Sequence, residues 1–212
     1  MSGTRRTLVA RAEREADLLR EAGAVFAARG FHAASMDEIA ERVGVSKPVV
    51  YSHFGSKDAL YFAYIEAAGN ELLDAIVTAE RASRDRPIAE RLHAGSRAFF
   101  HFVDDHRDGF VVLYGELAAR GAPSGREVSE IRRRIVTAVQ GLLDEAVRDA
   151  GADPGRLGGT EPLATAFVGA GESLANWWLD HPDEGVDDVT ARLMNVGWVG
   201  LEALVRDRTP PS

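Results

Sequence analysis

No cysteine occurs in the 212 residues. A disulfide framework, a thiol nucleophile and a cysteine-ligated zinc site are therefore excluded, and a reducing compartment suits the chain. Lysine is nearly absent too. Lys47 and Lys57 are the only two, although lysine and arginine together number 25. No stretch approaches the ~18 consecutive apolar residues of a membrane-spanning helix. The opening Met-Ser-Gly-Thr-Arg-Arg-Thr has no apolar segment behind it, so it is not expected to be a secretory signal. There is no phosphate loop and no dinucleotide fingerprint. Ser96 and Ser124 lack the strand-turn-helix context of a nucleophile. His93, His101 and His106 do not share metal-ligand spacing on one face, and Asp104-Asp105-His106 reads as a charged turn. No catalytic residue, no metal and no cofactor is expected.

What is present is 45% hydrophobic residues, enough for one substantial core or two small ones, and a net charge of −8. That charge argues against indiscriminate coating of nucleic acid. Its distribution is uneven. Residues 1–60 carry nine basic and eight acidic side chains, whereas the remainder carries 16 and 25. Both lysines fall in the first part.

They also fall in the most informative stretch, residues 35–58. Ser35-x-x-Glu38 has the form of a capping box, with the serine hydroxyl accepting from the Glu38 N–H and the Glu38 side chain returning to the serine N–H. Met36, Ile39, Ala40 and Val43 are spaced as one apolar helical face. Gly44 ends that helix in the left-handed C′ position. Ser46 opens a second helix with Pro48 in its first turn, where a missing N–H costs little. Gly55 ends it, and Ser56 caps the next.

Upstream, residues 1–8 read as a frayed polar tail in which Arg5 and Arg6 could follow a DNA backbone. Residues 9–29 read as a helix with Leu18, Ala22, Val25 and Phe26 inward and Gly30 at C′. Helices at about 9–29, 36–43 and 47–53 make a three-helix bundle with Phe26, Ile39, Val43, Val45 and Val50 in its core. In a helix-turn-helix bundle of this kind the second helix of the motif enters the major groove.

Phe26, Gly30, Phe31, Ser35, Ile39, Ala40, Gly44-Val45-Ser46-Lys47, Tyr51-x-His53-Phe54-x-x-Lys57 and Leu60 together resemble the N-terminal domain of TetR-family transcriptional repressors. The resemblance covers roughly the first third of the chain. It implies that Tyr51, His53 and Lys57 contact phosphates, and that positions 46–49 and 52 do most of the base reading. The DNA-binding set is then Ser35, Ser46, Lys47, Pro48, Val49, Tyr51, Ser52, His53 and Lys57. Three departures weaken the match: Ala34 stands where the family often has threonine, and Pro48 and Val49 replace small or polar residues. Val49 offers a base only apolar contact, for instance to a thymine methyl.

Downstream, helices are expected at 57–82, 88–107, 110–120, 126–150, 161–180 and 186–206, which makes about nine in an all-α chain. The polar run from Arg81 to Pro87 is the best linker. Over 88–107 the inward stripe is Ile88, Leu92, Gly95, Phe99, Phe102 and Val103, with Phe100 and His101 off it. Val111, Tyr114 and Leu117 point inward from the next helix, and Thr160 is the N-cap of the helix at 161–180. The last two helices are apolar on two sides, so each must be buried on two sides. Trp178, Met194, Gly197, Trp198, Leu201 and Val205 are the expected homodimer interface. The resemblance implies a ligand pocket in this half, and Phe99, Phe102, Val103, Phe110, Tyr114, Phe167, Glu172, Asn176 and Trp177 are its candidate lining. Against this, ordinary core is the stronger reading for each aromatic, and a surface pair with Arg120 is the plain reading of Glu116.

The expectation is thus a helix-turn-helix DNA-binding domain at 1–56 and an effector-binding and dimerisation domain at 57–212. Such a chain would be a homodimeric regulator in the bacterial cytoplasm, a repressor released from a palindromic operator by a largely apolar effector. The competing expectation is a helical small-molecule-binding or interaction module whose DNA face has decayed.

Overall fold

Serine, glycine and proline divide the chain into the helices that the apolar spacing predicts. In the computed structural model, which describes residues 2–118, 125–149, 151, 153–157 and 159–206, the order is α1 (Ser2–Ala33), α2 (Met36–Val43), α3 (Lys47–Phe54), α4 (Lys57–Ala82), α5 (Ile88–Asp105), α6 (Arg107–Ala118), α7 (Gly125–Asp149), α8 (Glu161–Leu179) and α9 (Val186–Arg206), with a 3-10 turn at Pro154–Leu157. Among the described residues there is no strand. The chain is all-α, as the spacing predicts.

One terminus differs from expectation. Residues 2–8 continue α1 rather than forming a frayed tail. No proline or glycine lies between Thr4 and Glu21 to stop the helix, and each added residue costs no new nucleation. The side chains of Arg5 and Arg6 lie outside those described.

The chain forms two compact units, Met1–Gly69 with Asp108–Val128 and Asn70–Arg107 with Ser129–Ser212. The division between these units falls within α4. In the first unit α1 packs on α2 and α2 on α3. Leu18, Ala22, Val25, Phe26, Ile39, Ala40, Val50, Leu60 and Ile65 are buried there. Gly44 has φ 73° and ψ 32°, the left-handed conformation expected of it, and its N–H donates back to the last turn of α2.

The seat of α4 on α1 is aromatic. Tyr61 meets Phe26 edge to face with ring centroids 4.7 Å apart, and Phe31 lies 4.8 Å from Tyr61. Tyr64 packs over Gly23, where a Cβ would stand 2.3 Å from the tyrosine ring. Gly23 lies mid-helix, where glycine usually weakens a helix. The close approach of Tyr64 is the reason for it here, and sequence reasoning passed over it.

The second unit is built on Leu92, Val136, Val139, Leu142, Leu143 and Ala164, with Ile88, Leu163, Phe167, Val168, Met194 and Trp198 packed against them. α9 packs on α5 and on α8. Phe100 is fully buried and meets Trp178 edge to face at 6.0 Å, which corrects the expectation that it lies off the stripe. The inward face of α5 is simply wider than one stripe. In α6, Val112 and Leu113 are buried while Val111 is 40% exposed, so its inward face is turned by one residue from the expected one. Thr160 precedes α8 but makes no capping bond; its buried hydroxyl donates to Asp144 instead. Buried Arg91 joins three helices. It donates Nε to Glu80 at 3.0 Å and Nη1 to Glu145 at 2.7 Å, and the Glu80 hydrogen bond raises its already high pKa.

Replacing Gly23 by valine forces Tyr64 off α1. The expected cost is about 1–3 kcal/mol, read from the urea midpoint of the full chain. An unchanged midpoint would show that Tyr64 has another place to go.

Candidate nucleic-acid interface and sensing unit

α3 is held by one side and open on the other. Val50 is fully buried, while Ser46, Lys47, Pro48, Tyr51 and Ser52 are exposed and Val49 is half-buried. Ser46 occupies the N-cap position with φ −81° and ψ 150°, and its carbonyl accepts from the Val49 N–H at 2.9 Å. Its hydroxyl makes no capping bond and lies exposed at the helix start. Pro48 sits within the first two positions of α3, where no intrahelical N–H bond is lost. Tyr51 is 41% exposed. The Ser52 hydroxyl donates to the Val49 carbonyl at 2.7 Å. With its proton so placed, it presents acceptor lone pairs outward.

Ser35 caps α2 through the N–H of Asp37, at 3.2 Å, and not through that of Glu38. The reciprocal half of the expected capping box is replaced by ion pairs, with the Glu38 carboxylate 3.5 Å from Arg42 and 3.9 Å from Arg29.

The cations of the motif differ in their surroundings. Lys47 Nζ lies 2.8 Å from the Asp37 carboxylate, with both side chains largely in water. The hydrogen bond and charge of Asp37 hold the Lys47 ammonium above its ordinary pKa. Lys57 Nζ donates to the carbonyls of Phe31 at 2.9 Å, His32 at 3.1 Å and Ala34 at 3.2 Å, and lies 4.7 Å from the centre of the Phe31 ring. His53 is half-buried, its ring 6.2 Å from that of Phe54. Its Nδ1 is buried with no hydrogen-bond partner.

The two halves of the chain match known families. Residues 18–64 match the family described as "Bacterial regulatory proteins, tetR family", and residues 88–200 match "Tetracyclin repressor-like, C-terminal domain". The chain belongs to the TetR family of transcriptional regulators. That family consists of DNA-binding regulators and not of enzymes. The HTH-type transcriptional activator FasR of Mycolicibacterium smegmatis is 33% identical over 193 residues, covering 90% of this chain and 84% of its own. A TetR-like transcriptional regulator from Rhodococcus sp. RHA1 superposes with a TM-score of 0.74 at 33% identity, over 89% of this chain and 96% of that one. A tetR-family regulator from Streptomyces coelicolor gives 0.69 at 27% identity, over 93% and 84%. No helix among the described residues is long and apolar enough to cross a membrane.

The residues expected to line a pocket are found in both units. Phe110 and Tyr114, stacked at 5.6 Å, belong to the first unit, and the other seven belong to the second. Phe102 and Val103 are buried, and Phe102 stacks on His106 at 4.7 Å. Half-buried Phe99 approaches α8 at Gly171, where a Cβ would lie 3.8 Å from its ring. The Glu172 carboxylate accepts twice from Arg132 Nε, at 2.9 and 3.1 Å. Asn176 is exposed.

Trp177, expected to line a pocket, and Trp178, expected at a dimer interface, differ in their surroundings. Trp178 is 2% exposed and donates its indole N–H to the Glu184 carbonyl at 2.7 Å, so it belongs to the protomer core. Trp177 is 37% exposed, with His181 stacked on it at 4.0 Å and the Arg192 guanidinium 6.0 Å from the ring centre. Adjacent helical residues point about 100° apart, so a one-residue error in register turns a side chain from interface to core. On α9 the described interface candidates are partly buried in the protomer. Met194 and Trp198 pack on the internal cluster. Gly197 gives room to Phe167, whose ring would lie 2.3 Å from a Cβ there. Val196 is 74% exposed. The side chains of Leu201, Val205 and Glu116 lie outside those described, as does Arg120.

Asp37→Asn removes a carboxylate beside the reading helix and releases Lys47. Affinity for DNA at low salt is expected to rise by roughly two- to fivefold and to converge on the parent value as salt screens the charge. Fluorescence anisotropy across a salt series reads both effects. Weaker binding at every salt concentration would mean that the pair orders the site.

Proposed function

We propose that the chain is a homodimeric, one-component regulator in which two copies of α3 enter successive major grooves of a palindromic operator. The carrying observation is α3 itself, anchored through buried Val50 and exposed along Ser46, Lys47, Pro48, Tyr51 and Ser52. Lys47, Tyr51 and His53 would hold phosphates, and Val49 and Ser52 would read base edges. The reading of a decayed DNA face loses its main support, because Pro48 fits the first turn of α3 and Val49 helps to bury that helix.

Dimerisation would use the outer faces of α8 and α9. Pro162, Ala166, Ser173 and Trp177 on α8 and Arg192, Asn195 and Val196 on α9 are exposed. Mostly small side chains around one exposed tryptophan and one exposed valine suit close helix packing with a second copy, and two-fold symmetry suits a palindrome. The effector would be a largely apolar small molecule held in the second unit, from which α4 leads to the first. It would release DNA only in so far as it binds one arrangement of the two reading heads better than the other, typically by about 1–3 kcal/mol. The cytoplasm is the compartment for such a protein.

The sign of regulation has two readings. Release from an operator gives repression. The named activator at 33% identity over most of the chain favours activation as the second reading. In vitro transcription from the chain's own upstream promoter separates them by the direction of the change.

A mobility shift with a palindromic fragment of that region is expected, weakening steeply as salt rises. No shift at low salt would sink the reading. Val196→Glu should convert the dimer to monomers in sedimentation and weaken DNA binding; a dimer that persists would reject this face of α9.

A further inference from the structure

Lys57 occupies the first position of α4, where a cation is out of place for its own helix. The N-terminal end of a helix carries the positive pole of its dipole, and acidic side chains belong there, as Asp58 does. Local helix energetics therefore do not account for this lysine. Its contacts do. An ammonium group has three N–H donors, and the three carbonyls of Phe31, His32 and Ala34 lie at 2.9, 3.1 and 3.2 Å from Nζ. The Phe31 ring adds a π face at 4.7 Å. All the directional bonding of the group is turned into the protein.

The acceptors occupy a defined point of the chain. α1 breaks at Gly30, with φ 72° and ψ 164°, and the carbonyls beyond the break have lost regular helical partners. The Ala34 carbonyl directly precedes Ser35, the N-cap of α2. Lys57 thus closes the end of α1 from a position 23 to 26 residues away, and grips the segment from which the helix-turn-helix begins. α2 in turn packs on α3. Lys47 is the natural contrast, since it has the same chemistry but is held by one exposed carboxylate and is otherwise in water.

We propose that Lys57 is a positioning residue that fixes the helix-turn-helix to α4 through the carbonyls of residues 31, 32 and 34, and that it does not contact phosphate. This rests on the reading that the chain binds DNA through α3, and it deepens that reading by separating the two lysines of the motif by role. Movement of the first turn of α4 would be delivered to the start of α2 through this grip.

Salt dependence separates the roles. A lysine that neutralises a phosphate contributes about one to the slope of log affinity against log salt, whereas a positioning residue contributes nothing to it. The full chain, its upstream DNA fragment and the variants Lys57→Gln, Lys57→Arg and Lys47→Gln are compared by fluorescence anisotropy, at a temperature where circular dichroism shows each folded. Lys57→Gln is expected to weaken binding by roughly tenfold with the parent slope retained, as loss of hydrogen bonds from a charged donor implies. Lys47→Gln is expected to flatten the slope by about one. Lys57→Arg should not restore affinity, because a planar guanidinium cannot converge on three carbonyls as an ammonium does. A slope flattened by Lys57→Gln, parent affinity in Lys57→Arg, or unchanged affinity in Lys57→Gln would each overturn the proposal.

Should Lys57→Gln not fold, Phe31→Leu removes the ring beneath the ammonium together with that ring's contacts to Phe26 and Tyr61. A fewfold weaker affinity at the parent slope is expected, and unchanged affinity overturns the proposal. Hydrogen exchange reads the same grip without DNA. Faster exchange in the first turn of α2 is expected for Lys57→Gln or Phe31→Leu, and parent rates count against it. Should the parent chain bind no DNA, the proposed function fails while the exchange result still decides whether Lys57 positions α2.

Discussion

The seat of α4 on α1 is the contact on which the first unit depends. Phe26, Phe31, Tyr61 and Tyr64 form a continuous aromatic set, and Gly23 lets the last of them close on α1. An aromatic pair in such geometry contributes about 0.5–1.5 kcal/mol beyond the area it buries. Its larger consequence is directional. Edge-to-face rings and a ring lying on a bare backbone fix both the distance and the rotation of one helix against the other. The short α2 and α3, of eight residues each, are too short to be stable alone. Their orientation is borrowed from this pair of long helices.

The helix-turn-helix was legible in the sequence because its signals are local. Ser35, Gly44, Ser46 and Gly55 each act within a turn or two of their own position, and the ends of α2 and α3 and the start of α4 follow from them to within a residue. Faces of long apolar helices were less legible. α8 and α9 carry apolar residues around much of their circumference, so periodicity alone does not say which stripe meets the protomer core. Trp178 was placed at an interface for that reason, although it is buried within its own protomer. Gly197 looked like an intermolecular contact, yet its space is filled by Phe167 of the same chain.

What could not be read at all shares one physical property: the partners are remote in sequence or lie on the backbone. The acceptors of Lys57 are carbonyls, which every residue has, so no side-chain pattern announces them. Arg91 meets Glu80 and Glu145, 11 and 54 residues away. Asp144 receives Thr160 in place of the cap that its sequence position suggested. Of the candidate pocket residues, Phe110 and Tyr114 belong to one unit and the others to the other, and the Glu172 carboxylate accepts from Arg132, 40 residues away.

The scarcity of lysine acquires a practical meaning once the two surroundings are known. Lys47 and Lys57 are the only side-chain amines in the chain, and one of them is wrapped by three carbonyls and a ring. Amine-directed chemistry, whether acetylation or a reactive dye, finds a single well-exposed side-chain target. That target lies at the start of α3. One acyl group there would cancel the charge beside the reading helix and leave every other cation of the chain untouched.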